Sequence, residues 1–413
     1  MLKPLLIIFL FVCAQSNAFS QLHYITGTVK DESGKVLPGV EVFLNGTGKV
    51  ALTNEEGIFN ILRLISGNYE LVAKLLGRET YRSTFTLSKS SRFNIVLQLK
   101  NHQLAEVVIK ADQYLKSDYM MFQRVFIGET PNAVKCKIVN PEILNIYKDP
   151  ETKNLHVNSG GKFLQISNPA LGYHVKYLLE DFVYDKNKGY SYYVGQTLFK
   201  EMAGTVPKIA NWNKARVKAY LGSPQHLLKS IYHNNVEEQG FVIRKLLVKT
   251  NNEIPTEKEF VKKRDLLDKQ LSSKSISKQQ YKDSIDYWIS KFHLPRYTQT
   301  VQNDTLKSAS LTGKDDGINK QLAFTDQLHI MYLNEKPDIH YRSGAHKIGL
   351  KKSDYKYQMS TIAIREYVPL IDAHGNLANP LSLLYNEYMG RESVGYMLPK
   401  HFVYQQPEIE KEP

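Results

Sequence analysis

Apolar and polar positions alternate along residues 22–99 in runs of four to eight residues. Alternation with a period of two is typical of strands that bury one face, and glycine-containing pairs between such runs indicate tight turns. The pattern predicts a small antiparallel β-sandwich, of the prealbumin or immunoglobulin kind, with about 80 residues. The runs are interrupted at four turn-forming pairs: Ser33-Gly34, Asn45-Gly46, Glu56-Gly57 and Ser66-Gly67.

The apolar positions of these runs are expected to face one another and form the core of the sandwich. They are Val40, Val42, Leu44, Phe59, Ile61, Tyr69, Leu71, Ala73, Phe93, Ile95 and Leu97.

Glycine and proline landmarks in the same stretch make the fold prediction more specific. They are Gly27, the turn Asp31 to Gly34, Leu37-Pro38-Gly39-Val40, the hairpin Thr53 to Phe59, and Leu76-Gly77. With them, residues 22–99 resemble the carboxypeptidase regulatory-like domain, although Asn54 stands where that family usually has aspartate. Both residues suit a turn. The module accompanies the catalytic domain in zinc carboxypeptidases and precedes the plug and barrel in TonB-dependent receptors of Bacteroidota, so the resemblance implies an accessory scaffold.

Residues 100–121 are predicted to be a linker strand, because LAEVVIKAD at 104–112 resembles the strand before the plug of those receptors. Residues 122–404 then predict a larger β-rich α+β domain, so the whole chain is expected to be mainly β. Within it, the alternating segments on either side of Asp185 to Gly189 predict a hairpin. About 300 remaining residues with helical portions do not suit a transporter barrel.

Two stretches of the second domain have helical rather than strand periodicity. Residues 211–248 predict a short helix followed by a strand, and residues 256–294 predict a lysine-rich helical hairpin inserted into the domain. The hairpin either docks a partner or packs on the sheet of its own domain.

Landmarks of the second domain resemble those of a group of exported Bacteroidota proteins that carry the same N-terminal module. They are Leu171-Gly172-Tyr173 in its first part and Gly375-Asn376, Asn379-Pro380, Tyr396 and Leu398-Pro399 near its end. Residues 405–413 have no apolar pattern and are expected to be disordered.

The N-terminal 21 residues have the layout of a secretory signal peptide: Lys3, an apolar run from Leu5 to Val12, then small and polar residues. The chain is therefore expected to be exported to the periplasm or the outer membrane. Lipid attachment at Cys13 is the minor alternative. No later stretch is long and apolar enough to predict a transmembrane helix, and with Cys13 removed Cys136 would have no disulfide partner.

The formal charge of +13 bears on the class of partner. For an exported protein it favours an acidic protein face, a polysaccharide or anionic lipid over nucleic acid, and a merely solvated basic surface is the alternative.

Enzyme motifs are missing from the sequence. None of the twelve histidines begins His-x-x-Glu, and His-Glu-x-x-His and Gly-x-Ser-x-Gly do not occur. The pairs His102/Glu106 and His233/Glu237 are spaced one residue too far apart. Cys136, between Val134 and Ile138, is interpreted as a buried small residue rather than a nucleophile, and His340 and His346 as loop residues. We therefore predict no catalytic residue, no metal site and no cofactor, and no ligand-binding residue can be assigned.

Twenty-six tyrosines, among them Tyr190, Tyr192 and Tyr193, would allow stacking on sugar rings, although tyrosine is also a common strand residue. Three functions stay open at this point. The first is a non-enzymatic envelope protein acting through protein contacts, the second a glycan-binding envelope protein, and the third an enzyme of unidentified type in the second domain.

Overall fold

A computed structural model describes seven stretches of the chain: residues 22–100, 116–186, 190–294, 297–337, 356–365, 367–391 and 393–404. The expected signal peptide with Cys13, the strand at 104–112 and the tail 405–413 lie outside them.

The first unit, the N-terminal sandwich, contains two sheets with strand orders β4-β1-β7 and β3-β2-β5-β6. Its strands are β1 His23–Asp31, β2 Glu41–Leu44, β3 Val50–Leu52, β4 Ile58–Leu64, β5 Gly67–Lys74, β6 Tyr81–Leu87 and β7 Ser91–Leu97. The predicted inward positions do form its core, with Phe93 partly buried at the edge. One pairing differs from the antiparallel prediction, because β7 runs parallel to β1. The chain changes sheet between β6 and β7 and reaches β1 in the same direction.

The second unit is a six-stranded sheet covered by helix α1, and the predicted hairpin at Asp185 is its longest element. Strands β12 and β13 pair antiparallel along their length. The elements are α1 Lys116–Phe126, β8 Lys137–Ile138, β9 Asn145–Lys148, β10 Leu155–Asn158, β11 Leu164–Asn168, β12 Tyr173–Asp185 and β13 Tyr190–Glu201. Helix α1 buries Phe122 and Phe126 against Phe182, with ring centroids 5.0 and 6.3 Å apart.

The described part of the expected linker, residues 116–121, therefore belongs to helix α1. Residue 122 lies inside this helix rather than at a domain boundary.

The third unit contains a five-stranded sheet, β15-β14-β18-β19-β21, and a three-stranded sheet, β16-β17-β20. Its strands are β14 Phe241–Thr250, β15 Tyr297–Thr305, β16 Thr312–Asp315, β17 Asn319–Leu322, β18 Gln327–Tyr332, β19 Gln358–Ile364, β20 Leu370–Asp372 and β21 Leu383–Asn386. Two helices, α2 Val206–Tyr220 and α3 Pro224–Tyr232, precede β14 where one was predicted. The two large hydrophobic clusters of the described residues after 122 thus lie mainly one in each of these units.

The predicted helical hairpin consists of α4 Glu257–Ser272 and α5 Lys278–Phe292. Each helix begins with a capping box, Thr256 with Glu259 and Ser277 with Gln280, which satisfies backbone donors at the N-terminus. The two helices pack mainly on each other, for example through the rings of Phe260 and Phe292, 5.1 Å apart. Of the two alternatives for the hairpin, this packing favours one that projects from the sheet and could dock a partner.

The sandwich is joined to the second unit by backbone and side-chain contacts. The loop between β2 and β3 lies along β13, where the Gly46 amide donates to the Thr197 carbonyl and the Phe199 amide to the Thr47 carbonyl, both at 2.8 Å. Beside this seam a small apolar cluster spans both units, made of Phe43, Val72, Leu198 and Phe163. The module is therefore an integral part of the fold.

Residues 393–404, which we call the strap, connect all three units. The Gly395 amide donates to the Ile127 carbonyl at 3.0 Å, and the Lys400 amide to the Gly46 carbonyl at 2.7 Å. The ring of Phe402 lies 5.6 Å from that of Tyr220 in α2. The strap thus touches the second unit, the sandwich and the third unit in turn.

Within the described stretches, no helix has the length and apolar character needed to cross a membrane.

Candidate functional site

A cavity of about 390 Å³, which we call the cleft, opens where the second unit meets the third unit and the strap. Its walls come from the end of α1 and the loop after it, from β13, from the α2–α3 junction, and from α6 Glu387–Gly390 with the start of the strap. Ligand sites usually have a volume of about 300–1,000 Å³ and lie between units of a fold, so both the size and the position suit a small ligand.

The charged side chains that line the cleft are Arg124, Lys218, Arg391, Glu129 and Glu335. Arg124 Nε lies 4.0 Å from Glu129 Oε1, and Glu335 accepts a 3.1 Å hydrogen bond from Gln358. Among the described lining residues, three cations stand against two carboxylates, and no histidine is present.

Three half-buried tyrosines, Tyr193, Tyr388 and Tyr396, also line the cleft. The ring of Tyr193 packs edge-on against Phe126 at 5.3 Å, which holds it in place from the core side. Half-buried tyrosines combine an apolar face with a polar tip, the combination found where a ring-shaped polar ligand is bound.

Ser393 lies at the buried end of the cleft, where it is 5% exposed. Its Oγ has no hydrogen-bond partner among the described residues. A Cβ at Gly128 would overlap this oxygen, and Gly128 has φ +97°, a backbone conformation that favours glycine. Because a buried hydroxyl without a partner is destabilising, Ser393 is a polar group that a ligand would satisfy.

The backbone at the edge of the cleft is strained. Glu387, the residue before Tyr388, has φ +61°. A side chain other than glycine in this left-handed region costs about 1–2 kcal/mol. Such strain persists only where the surrounding structure enforces it, and it concentrates at functional sites.

A second cavity of about 350 Å³ adjoins the cleft and shares Ala219, Ser223 and Tyr396 with it. The strap residues Met397, Leu398 and Lys400 form one of its sides. Burial lowers the pKa of the Lys400 ammonium. The Tyr396 and Leu398 landmarks of the sequence therefore lie beside these cavities.

A polar junction lies where the sandwich meets the third unit, and its centre is the fully buried Asp372. Its carboxylate accepts from the backbone amides of Asn68, His374 and Asn376 at 2.8, 2.9 and 2.9 Å. The Asn68 side chain in turn donates to Asn319 at 2.8 Å. One carboxylate thus closes a turn of its own unit and anchors β5 of another.

His374 and His401 lie beside this junction, with ring centroids 5.3 Å apart. Both ring nitrogens of His401 are buried and have no hydrogen-bond partner in the part of the chain that the structure describes, and its ring packs 4.9 Å from that of Tyr69. Burial lowers the pKa of His401 to about 4 and also lowers that of His374. Both rings are therefore neutral at pH 7.

The structure places Cys136 in the core of the second unit, 4% exposed, with its thiol donating to the Asn132 carbonyl at 3.5 Å. Burial raises the pKa of the thiol to about 12. Since the thiolate is the reactive form, we expect a maleimide reagent to label Cys136 only after unfolding. Labelling of the native protein within minutes, followed by mass spectrometry, would contradict this.

The other residues considered from the sequence do not come together. His233 Nε2 is bonded to the Ala373 carbonyl at 2.9 Å rather than to Glu237. His102, Glu106, His340 and His346 lie outside the described residues. Of the three neighbouring tyrosines, Tyr193 lines the cleft and Tyr192 does not, and the side chain of Tyr190 is not among the described ones. No cluster suited to a metal ion occurs in the part of the chain that the structure describes.

Sequence reasoning missed Ser393, Arg124 and Lys218, because they come from segments distant in sequence and belong to no motif. The role of Asp372 at the buried junction was missed as well. Its spacing to Gly375 and Asn376 does signal a turn-closing carboxylate, but nothing local indicates its contact with Asn68.

Comparison with known proteins identifies one module. Residues 25–109 match the family model of the CarboxypepD_reg-like domain, which confirms the predicted resemblance for about a fifth of the chain. No curated protein matches the sequence.

Solved structures give distant likenesses. A type II cohesin–X-dockerin complex from Acetivibrio cellulolyticus matches with 17% identity over 19% of this chain and 58% of that chain, with a TM-score of 0.17. A putative carbohydrate binding protein from Pseudomonas aeruginosa matches with 15% identity over 21% and 95%, with a TM-score of 0.15. A DUF3823 family protein from Bacteroides ovatus matches with 11% identity over 45% and 83%, with a TM-score of 0.17. No functional conclusion follows from similarities this low.

Proposed function

We propose that this protein is an exported, non-enzymatic binding protein of the cell envelope that acts through protein contacts, with the helical hairpin α4–α5 as its docking element. The observation that carries the proposal is that the two helices pack mainly on each other and leave large apolar side chains exposed. The signal-like pattern of residues 1–21 supports export, and fractionation of cells that express the full chain tests it.

One side of the hairpin carries an apolar patch, formed by Val261, Ile289 and Phe292, each more than a third exposed. Val261 follows Phe260 and Ile289 follows Trp288, and both preceding residues contact the facing helix. In two antiparallel helices with 3.6 residues per turn, positions directly after the contact residues lie on the same side of the pair. Phe292 lies three residues after Ile289, on the same stripe.

The charges of the hairpin indicate the chemistry of the partner. Residues 256–294 contain nine Lys or Arg and six Asp or Glu. Several of the carboxylates are engaged locally, for example Asp268 with Tyr281 and Asp283 with Gln279. Seven lysines have no ion pair among the described residues: Lys258, Lys262, Lys263, Lys269, Lys274, Lys278 and Lys282. The apolar patch therefore lies in a positively charged surface that fits an acidic protein face.

The double variant Val261→Ser with Ile289→Ser tests this function. We expect it to bind its envelope partner at least tenfold more weakly, because the patch loses its apolar contact area. The partner is first captured by crosslinking to the tagged protein in intact envelopes, with a signal-deleted control. It is then purified, and its affinity is measured by calorimetry at two salt concentrations.

The matched control is Leu266→Ser with Tyr287→Ser. Both residues are exposed, and Leu266 directly precedes the buried Leu267 while Tyr287 directly precedes Trp288, so they lie on the opposite side of the hairpin. This control should keep the affinity. Equal losses of affinity in both double variants would refute the assignment of the docking side. Binding that does not weaken as salt rises would refute it too.

Glycan binding is the second candidate function, and the cleft supports it. Three tyrosines, three cations and a buried unpartnered hydroxyl line one cavity of about 390 Å³. Saturable retention on polysaccharide that disappears when Tyr388 is replaced by alanine would support it.

A further inference from the structure

The cations of the cleft lie at its solvent side. Arg124, Lys218 and Arg391 are exposed, whereas Ser393 at the other end is buried. Guanidinium groups pair with planar carboxylates through two parallel hydrogen bonds, and an ammonium adds a point charge. A ligand with one carboxylate would place that group near these cations.

The rest of the lining matches the other groups of a sugar ring. Glu335 and Ser393 offer a hydrogen-bond acceptor and a hydroxyl to ligand hydroxyl groups, and Tyr193, Tyr388 and Tyr396 offer apolar ring faces. A purely apolar ligand would leave Ser393 unsatisfied, and a small inorganic anion would not use the tyrosines.

We propose that the cleft binds the end of a short acidic oligosaccharide, with a uronic acid carboxylate at Arg124, Lys218 and Arg391 and a sugar hydroxyl bonded to Ser393 Oγ. This inference rests on the second function above and specifies the ligand and its position. It is independent of the helical hairpin. A volume of about 390 Å³ lies near the lower end for ligand sites, which suits one or two sugar rings rather than a long polymer segment.

Calorimetric titration of the full mature chain with digalacturonic acid and with its methyl ester tests the charge. The two probes share the same rings and hydroxyls and differ in the carboxylate. We expect the acid to bind at least tenfold more tightly than the ester and to weaken as salt rises, because the cations are exposed. Lys218→Gln, a change at an exposed side chain, should weaken the binding of the acid and leave the affinity for the ester unchanged.

Ser393→Ala tests the position, and Ser308→Ala is its matched control. Ser308 is also buried, 2% exposed, and its Oγ also lacks a partner, but it does not line the cleft. Both variants should melt at or above the temperature of the unmodified protein, because each removes an unsatisfied buried hydroxyl. Only Ser393→Ala should weaken the binding of digalacturonic acid, by about fivefold to tenfold.

Four results overturn the proposal. If the acid and the ester bind with equal affinity, the preference for an acidic sugar is refuted and glycan binding stands. If neither binds, both the acid preference and glycan binding are refuted. A tetraglutamate peptide that binds as tightly as digalacturonic acid makes the ligand an acidic peptide. Equal effects of Ser393→Ala and Ser308→Ala on binding place the site elsewhere.

Discussion

Replacing Asp372 by alanine is expected to destabilise the protein by on the order of 4 kcal/mol. The carboxylate is fully buried and accepts hydrogen bonds from the amides of Asn68, His374 and Asn376. Each buried donor that loses its acceptor costs about 1–3 kcal/mol. Since total stabilities are commonly about 5–15 kcal/mol, the effect should be plain in urea unfolding followed by tryptophan fluorescence and by circular dichroism.

Asp372→Asn separates the two roles of the carboxylate. Oδ1 accepts from His374 and Asn376 within the turn, and Oδ2 accepts from Asn68 of the sandwich. An asparagine whose side-chain oxygen takes the place of Oδ1 preserves the turn. Its NH₂ group then faces the Asn68 amide, so two hydrogen-bond donors meet. We therefore expect an intermediate loss, with the junction to the sandwich opening before the rest of the third unit unfolds.

Asp149→Ala is the matched control for this change. Asp149 closes an exposed turn in the same way, accepting from the amides of Glu151 and Thr152. Water can replace those bonds when the carboxylate is removed, so a much smaller loss is expected. If Asp372→Ala and Asp149→Ala shifted the urea midpoint equally, the central role of Asp372 at the junction would be refuted.

The sandwich could be predicted almost entirely from the sequence, because its information is local. A period of two places residues such as Val42 and Leu71 on one face, and glycine turns such as Gly57 set the strand ends. The hairpin of α4 and α5 was predictable for the same reason, since capping residues and helical spacing lie within one short stretch.

The assembly of the units could not be predicted, because its contacts join residues far apart in the chain. Asn68 and Asp372 are separated by 304 positions. The parallel pairing of β7 with β1 depends on the chain changing sheets, which alternation does not record. The cleft shares this property, since Arg124, Lys218 and Ser393 approach one another only after the strap has packed on all three units.

The units also explain why the N-terminal module is more than an appendage here. In a chain where it were only tethered, its polar residues would face water, yet Asn68 is buried against another unit and Gly46 receives the strap. Changes at the junction are therefore expected to reach the cleft, because the strap that binds Gly46 at Lys400 also supplies Ser393 to the cleft.

The protein is expected to lose stability as the pH falls from about 6.5 to about 4. Burial lowers the pKa of both His226 and His401 to about 4, from an ordinary value of about 6.5. Between these values the unfolded chain binds a proton at each ring and the folded protein does not, so folding weakens as the pH falls. The stabilisation is complete above pH 6.5, and below about pH 4 these rings contribute no further loss. Each accounts for about 3 kcal/mol at most.

His401→Phe isolates one of the two rings. The nitrogens of His401 have no hydrogen-bond partner, so phenylalanine keeps the packing on Tyr69 and removes only the titrating group. The variant should match or exceed the stability of the unmodified protein at pH 7, and its loss between pH 7 and pH 4 should be smaller by up to about 3 kcal/mol. Urea midpoints across this range measure both effects.

Phe402→Leu is the control for this change. It alters the neighbouring strap residue, which packs on Tyr220, without removing a titrating ring. Its destabilisation should be nearly the same at both pH values, because no proton binding changes. A His401→Phe protein that kept the full acid sensitivity would show that the pKa of His401 is not lowered in the fold, and the loss of stability in acid would then come from other groups.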